Sequence, residues 1–199
     1  MDPAAPPACG RPIVYRGRFA PSPTGPLHFG SLIAAVASFT DARAASGTWL
    51  VRMEDLDRPR EIPGSARQIL DTLAAFGLHW DGAVIYQSTR AEAYEAALSR
   101  LAESDLIYPC ACSRSQVASA GRPGPEGPVY PGTCRSGLPP GRPQRALRLR
   151  TEGPEIHFRD QIQGPQAQVV AESVGDFVVR RADAIHAYHL AVVLDDAWQ

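Results

Sequence analysis

The sequence predicts an α/β fold, a doubly wound parallel sheet that carries an inserted subdomain. Three observations predict it. Short β-like runs alternate with apolar residues at helical spacing through the first half of the chain. A turn rich in proline and glycine joins the first strand to the first helix. From residue 109 the periodicity stops, and three of the four cysteines fall in the stretch that follows. Strand and helix in alternation argue for βαβ units and a parallel sheet.

Taken in order, Ile13 to Phe19 reads as the first strand. Leu32, Ile33, Val36 and Phe39 recur at helical spacing, and Gly47 is placed as that helix's C-terminal cap. Trp49 to Met53 reads as a second strand, ending at Glu54-Asp55-Leu56-Asp57. Ser65 is a candidate cap for a second helix with Ile69, Leu70, Leu73 and Phe76 on its apolar face. Val84 to Tyr86 predicts a third strand, and Thr89 to Glu103 a helix on Tyr94, Leu98 and Leu101. Leu106-Ile107-Tyr108 predicts a fourth strand. Residues 109 to about 143 are an insertion, rich in proline and glycine. Ala146 to Arg150 then alternates, Leu147 and Leu149 on one face, Arg148 and Arg150 on the other. Ile156 to Asp160 and Gln168 to Val170 read as hairpin arms around Gly164-Pro165. Phe177-Val178-Val179 and His189 to Leu194 have buried-strand character. The expected organisation is a disordered tail over 1–12, a first half-domain over 13–108, an insertion over 109–174, and the start of a second half over 175–199.

Composition removes several classes of function. With 21 acidic against 20 basic residues and a formal charge of −1, the chain is no overall basic nucleic-acid binder, although a local patch is allowed. Every basic residue is arginine, which suits phosphate and carboxylate recognition. No apolar run is long enough to span a bilayer. The proline- and alanine-rich start lacks the pattern of a signal peptide. Four cysteines without export features point to a reducing compartment, the cytoplasm, where clustered cysteines more often bind metal than pair. Cys9 is expected to be a free thiol. A monomer without membrane contact is expected.

The densest signal is Arg18-Phe19-Ala20-Pro21-Ser22-Pro23-Thr24-Gly25-Pro26-Leu27-His28-Phe29-Gly30-Ser31. A strand, a small-residue turn, an imidazole and a helix N-terminus make a site for nucleotide phosphates. In a doubly wound sheet this loop and Glu54-Asp55 lie side by side at the carboxyl ends of adjacent strands. Arg18 offers a planar fork for a carboxylate, and Glu54 a counter-charge for an ammonium group. The segment resembles the first signature of class I aminoacyl-tRNA synthetases in its glutamyl-branch form, in which Ser31 replaces the second histidine. The resemblance implies a Rossmann-like catalytic domain in which ATP, with Mg²⁺, activates glutamate. It gives Arg18, Phe19, Ala20, Pro21, Ser22, Glu54 and Tyr188 (in Tyr188-His189-Leu190) to glutamate. Thr24, Gly25, His28 and Gly30 go to ATP, with His28, Gly30 and Ser31 as the catalytic set. The same branch shares Gly77-Leu78-His79-Trp80-Asp81.

Cys110-Ala111-Cys112 and Cys134 supply three corners of a tetrahedral metal site, and Tyr130, Glu126 or water the fourth; three buried thiols are the bland reading. Cys-x-Cys followed by Tyr130-Pro131-Gly132-Thr133-Cys134 resembles the pattern of glutamyl-Q tRNA(Asp) synthetases. That resemblance implies a structural zinc on Cys110, Cys112, Tyr130 and Cys134, and transfer of glutamate to the queuosine base at the wobble position of tRNA(Asp). Ser31-Leu32-Ile33-Ala34-Ala35, Pro59-Arg60-Glu61 and Pro63-Gly64 match this shorter branch, and the likeness runs from Arg16 to Trp198. The family's KMSKS-type lysine loop is not among these 199 residues, so weak activation by this chain alone is expected. Two other readings stand: part of a glutamyl-tRNA synthetase charging tRNA(Glu), or a non-catalytic zinc and RNA module using Arg135, Arg142, Arg145, Arg148 and Arg150.

Overall fold

The structure, a computed structural model, describes residues 15–125 and 127–199. The predicted tail with Cys9, the start of the first strand, and Glu126 lie outside the described residues. The chain divides into two units, Met1–Thr89 and Arg90–Gln199.

The first unit runs β1 (Arg16–Phe19), α1 (Phe29–Ala44), β2 (Thr48–Met53), α2 (Ser65–Ala75) and β3 (Ile85–Tyr86). Its strands form a parallel sheet in the order β1-β2-β3, with Arg18 opposite Leu50 and Phe19 opposite Val51. A parallel neighbour needs a crossover, and α1 and α2 supply the two. Trp49, Val51, Met53, Ile69, Leu73 and Leu78 are buried together with Phe19. Trp49 organises this core: Phe19 stacks on it at 6.4 Å, Phe39 meets it edge-on at 5.2 Å, and its Nε1 donates to Ser38 Oγ at 2.9 Å. Asp81 pins the start of β2, accepting from the Trp49 N–H at 2.8 Å and from Arg43 at 2.6 Å. The shared Gly77-to-Asp81 phrase thus has a fold-building role.

Three details differ from the sequence reading. The face of α1 against the core is Ala35, Ala42 and the half-buried Phe39, while Ile33 and Val36 are exposed. Small side chains let the helix settle close to the sheet, and the bulk comes from Trp49 instead. Gly47 is not the helix cap. The helix ends at Ala44, Ser46 takes the left-handed φ of 51°, and the Gly47 N–H closes back on the Ala42 carbonyl at 2.8 Å. That is a Schellman closure, and glycine is required at 47 because a Cβ there collides with the Tyr15 carbonyl. Finally, Phe76 is exposed, because α2 stops before it and turns away at Gly77.

The second unit runs α3 (Ala91–Glu103), β4 (Ile107–Cys110), α4 (Arg114–Ala120), β5 (Arg122–Gly124), β6 (Gly127–Val129), β7 (Ala146–Leu149), β8 (Ile156–Asp160), β9 (Gly164–Gln168), α5 (Val170–Ser173), β10 (Val178–Arg180) and α6 (Tyr188–Trp198). β4 does not extend the parallel sheet. It is the edge of an antiparallel sheet ordered β10-β7-β4. Pro109 explains the edge position, since it has no N–H to give a second neighbour. The β8–β9 hairpin forms with the expected first arm, but its second arm is Gly164–Gln168 rather than Gln168 to Val170, since Val170 opens α5, and its turn precedes Gly164. Asp160 Oδ1 caps that turn, accepting from the Ile162 and Gln163 N–H groups at 2.8 and 2.7 Å. The run from His189 to Leu194 is helix, not strand. A continuous apolar run carries no period, and here Leu190, Ala191 and Asp195 fall inward at helical spacing.

Candidate active site and metal centre

The loop from Ala20 to His28 leaves the carboxyl end of β1 and is tied down on both sides. The Glu54 N–H donates to the Pro21 carbonyl at 2.9 Å and the Ile62 N–H to the Pro23 carbonyl at 3.0 Å. The Ser65 hydroxyl donates to the Gly25 carbonyl at 2.7 Å and accepts from its N–H at 3.0 Å. Ser65 is therefore no helix cap; Gly64 takes that position and Ser65 clamps the loop. Pro21 and Pro23 are buried, whereas Ser22 and Thr24 point outward. The loop is thereby set beside Glu54 at Pro21, while Arg18 and Phe19 stand further back on β1, opposite Leu50 and Val51.

His28 is the N-cap of α1. Its Nδ1 accepts from the Ser31 N–H at 3.1 Å, which puts the ring proton on Nε2, 3.1 Å from Ser31 Oγ. A Cβ at Gly30 would lie 3.2 Å from the imidazole, so glycine leaves room for the ring to fold over the helix start. The imidazole, the first-turn amides and the positive end of a 16-residue helix face solvent together. Such an arrangement can take a phosphate.

Arg52 escaped the sequence reading. Its guanidinium is buried and lies 3.1 Å from Glu54 Oε1, with both side chains almost fully covered. The signal was present: an arginine inside an apolar strand, two residues before a glutamate, shares that residue's face. Asp55 accepts from the Ser88 N–H and hydroxyl at 2.8 and 2.6 Å and so fixes the end of β2 against the segment after β3. Tyr188 starts α6 of the second unit, with an exposed ring against His189.

In the second unit, Cys110, Cys112 and Cys134 place their sulfurs within 4.8 Å of one another. The Tyr130 hydroxyl lies 3.4 Å from Cys110 Sγ and 3.6 Å from Cys112 Sγ, and Cys112 and Cys134 are 3.7 Å apart. A tetrahedral centre with metal–sulfur bonds of about 2.3 Å and a metal–oxygen bond of about 2.0 Å separates its sulfurs by about 3.8 Å, and sulfur from oxygen by about 3.5 Å. The four donors fit a tetrahedral ion of zinc's size.

Burial pushes the Cys110 thiol up, but hydrogen bonds from Tyr130 and Arg148 outweigh it and hold it below the usual thiol range. Cys112 is raised, by burial first. Burial, then contact with the cysteines, holds the Tyr130 phenol well above its ordinary value. A cation's own charge is what lowers such a phenol far enough to ligate.

Arg148 is buried rather than solvated, contrary to an RNA-tracking role. It stands opposite Tyr108 on the face that β4 buries, so Leu147 and Leu149 take the outer positions. Arg135 pairs with Glu152 at 2.8 Å and Asp176 at 3.2 Å, and Arg150 lies over the Tyr108 ring at 4.9 Å. Only Arg142 and Arg145 of the five arginines are exposed.

Comparison with known proteins agrees with this geometry. The family described as tRNA synthetases class I (E and Q), catalytic domain, matches residues 15–199. A glutamyl-Q tRNA(Asp) synthetase of Dechloromonas aromatica is 62% identical over 187 residues, which cover 93% of this chain and 62% of that protein. One from Chromobacterium violaceum is 56% identical over 186 residues, 94% of this chain and 62% of the relative. This chain thus spans about three fifths of the length of these curated relatives. A crystal structure of a glutamate tRNA ligase from Elizabethkingia meningosepticum, in complex with its amino acid, superposes with a TM-score of 0.76 at 25% identity, covering 92% of this chain and 41% of that one. A parallel sheet with helical crossovers, a signature loop held against Glu54, and a match over all the described residues place the chain in the class I tRNA synthetase (E and Q) family, within its Rossmann-like catalytic domain.

Proposed function

We propose that this chain activates glutamate with ATP and passes it to the queuosine base of tRNA(Asp), as a glutamyl-Q tRNA(Asp) synthetase of the cytoplasm. The observation that carries the activation step is the main-chain bond from Glu54 to Pro21, which sets the acidic end of β2 against the loop after β1. Arg18 then holds a glutamate carboxylate by its fork, and Glu54, steadied by Arg52, takes the ammonium group. Ala20, Pro21 and Ser22 complete the first unit's share of the glutamate pocket, and the family resemblance assigns Tyr188 to the same substrate. The His28 Nε2–H and the α1 amides, beside Thr24, Gly25 and Gly30, receive the phosphates of ATP with Mg²⁺. The α-carboxylate oxygen attacks the α-phosphorus, and the bond to the leaving pyrophosphate breaks. No group of the chain becomes covalently attached, so positioning and charge stabilisation provide the catalysis.

Cys110, Cys112, Tyr130 and Cys134 hold zinc. The ion, when bound, closes a loop-rich segment that has little core of its own, and four protein donors leave no position for a substrate. We read 13–108 as the first half of the catalytic domain, 109–174 as the insertion and 175–199 as the start of the second half. Among the described residues no helix is long and apolar enough to cross a membrane.

The test is transfer of labelled glutamate in the presence of ATP to three RNAs: tRNA(Asp) with queuosine, tRNA(Asp) without it, and tRNA(Glu). Label is expected only on the first. The readout is a ratio, so it survives a slow rate. Label on tRNA(Glu) supports a 3′-charging enzyme instead, and salt-sensitive binding without any transfer supports an RNA-binding module.

A further inference from the structure

We infer that Arg148 is a positioning residue of the metal centre: it holds the Cys110 sulfur and the Tyr130 ring in ligating geometry and offsets the centre's negative charge. The inference rests on the metal reading above.

Three separate contacts converge on this one guanidinium, in a residue only 7% exposed. Its Nε donates to Cys110 Sγ at 3.2 Å. Its Cζ sits 3.7 Å from the centroid of the Tyr130 ring. Its Nη1 donates to the Asp176 main-chain carbonyl at 2.7 Å. One side chain therefore touches two of the four metal donors and is moored by the third contact to the segment leading into β10.

That mooring is stiff. The Asp176 carboxylate accepts from Tyr108 Oη at 2.6 Å and from the Thr151 N–H and hydroxyl at 2.8 and 3.0 Å, with Arg135 3.2 Å away. Those groups occupy the carboxylate, and the hydrogen bond from Arg148 goes to the carbonyl instead. A buried cation needs an anion to face. Three thiolates around a divalent ion leave one net negative charge, and a tyrosinate adds another, so the loaded centre is that anion.

The geometry also requires arginine in particular. A planar fork can lie on a ring and donate sideways to a sulfur at once, whereas an ammonium cannot do both. Partners that orient metal ligands in this way typically carry 10- to 100-fold in metal affinity.

The experiment compares the native chain, Arg148→Met, Arg148→Lys and, as a control, Tyr94→Phe, which removes a buried hydrogen bond of the same unit, to Asp195, and takes part in none of the contacts above. Zinc affinity is read by competition with a chromophoric chelator, and thiolate-to-metal charge transfer by absorption of the cobalt-loaded forms. Arg148→Met is expected to bind zinc about 10- to 100-fold more weakly. Arg148→Lys is expected to fall between it and native, and both variants to shift the charge-transfer band. Tyr94→Phe is expected to keep native affinity and spectrum. Native affinity in either Arg148 variant, or an equal loss in Tyr94→Phe, overturns the role of Arg148. Should neither Arg148 variant fold, the native chain loaded with ¹¹³Cd decides: scalar coupling between cadmium and the Arg148 Nε–H proton is expected, and its absence overturns the role. A native chain that binds no zinc overturns the metal reading along with it.

Discussion

The Ser65 hydroxyl makes two hydrogen bonds to one residue, Gly25, across 40 positions of sequence. It is buried, so Ser65→Ala leaves a donor and an acceptor of the signature loop unmatched where water enters poorly. The expected loss is about 1–3 kcal/mol, read as a fall in Tm of roughly 2–4 °C for each kcal/mol. Asp176 is the corresponding residue of the second unit. Burial raises its carboxyl, but the Thr151 N–H, the Tyr108 and Thr151 hydroxyls and Arg135 outweigh this and hold it below the usual carboxylate range. Its unfolded counterpart titrates near pH 3.9, so between the two values the unfolded chain binds more protons and stability rises with pH. This contribution is complete above about pH 4 and is lost as pH falls through the folded value. Acid unfolding of Asp176→Asn should lack that component, and an unchanged pH profile in the variant would count against the hydrogen-bonded carboxylate. At this scale the signature loop was legible because its residues act as neighbours in sequence. Ser65, Arg52 and Arg148 were not, because their partners are chosen by register and by packing.

Helix α6 shows how an element takes its form from what it meets. The sequence from His189 to Leu194 suits a strand or a buried helix equally, and three tertiary contacts decide. Asp195 is fully buried and accepts from Arg90 Nε at 2.6 Å and Tyr94 Oη at 2.7 Å, while the Arg90 guanidinium lies 3.9 Å from the Trp198 ring centroid. Arg90 and Tyr94 belong to the turn before α3 and to α3, so one carboxylate anchors α6 along α3. Asp195→Ala is expected to cost about 3–5 kcal/mol in urea unfolding, since it leaves Arg90 without its buried counter-charge. Ile162→Asp, at a turn position 94% exposed, should change stability by less than about 0.5 kcal/mol. Comparable losses in the two variants would contradict the anchoring role. Strand β7 makes the same point about faces. Its alternation was plain in the sequence, but which face is buried followed from its pairing with Tyr108 and Cys110.

At the scale of the molecule, the order of elements in the parallel first unit was readable: strands, two crossover helices and the loop between β1 and α1 follow as predicted, although the caps and the buried face of α1 did not. The second unit was legible as a change of character and as a set of strands, but not in its pairing. Antiparallel partners such as β4 and β7 are separated by a long irregular segment, and nothing local in either strand specifies the other. The cysteines supplied the missing long-range constraint, since Cys110, Cys112 and Cys134 can meet only if that segment folds back. The central claim concerns the first unit and its loop. It is tested most directly by calorimetric binding of a non-hydrolysable glutamyl-adenylate analogue to this chain, to Arg18→Ala and to Glu54→Gln. Saturable binding by the native chain, weakened at least tenfold in both variants and not reproduced by the glutaminyl analogue, is the predicted result. No binding by the native chain, or equal binding by all three proteins, would contradict the assignment of this loop to glutamate activation.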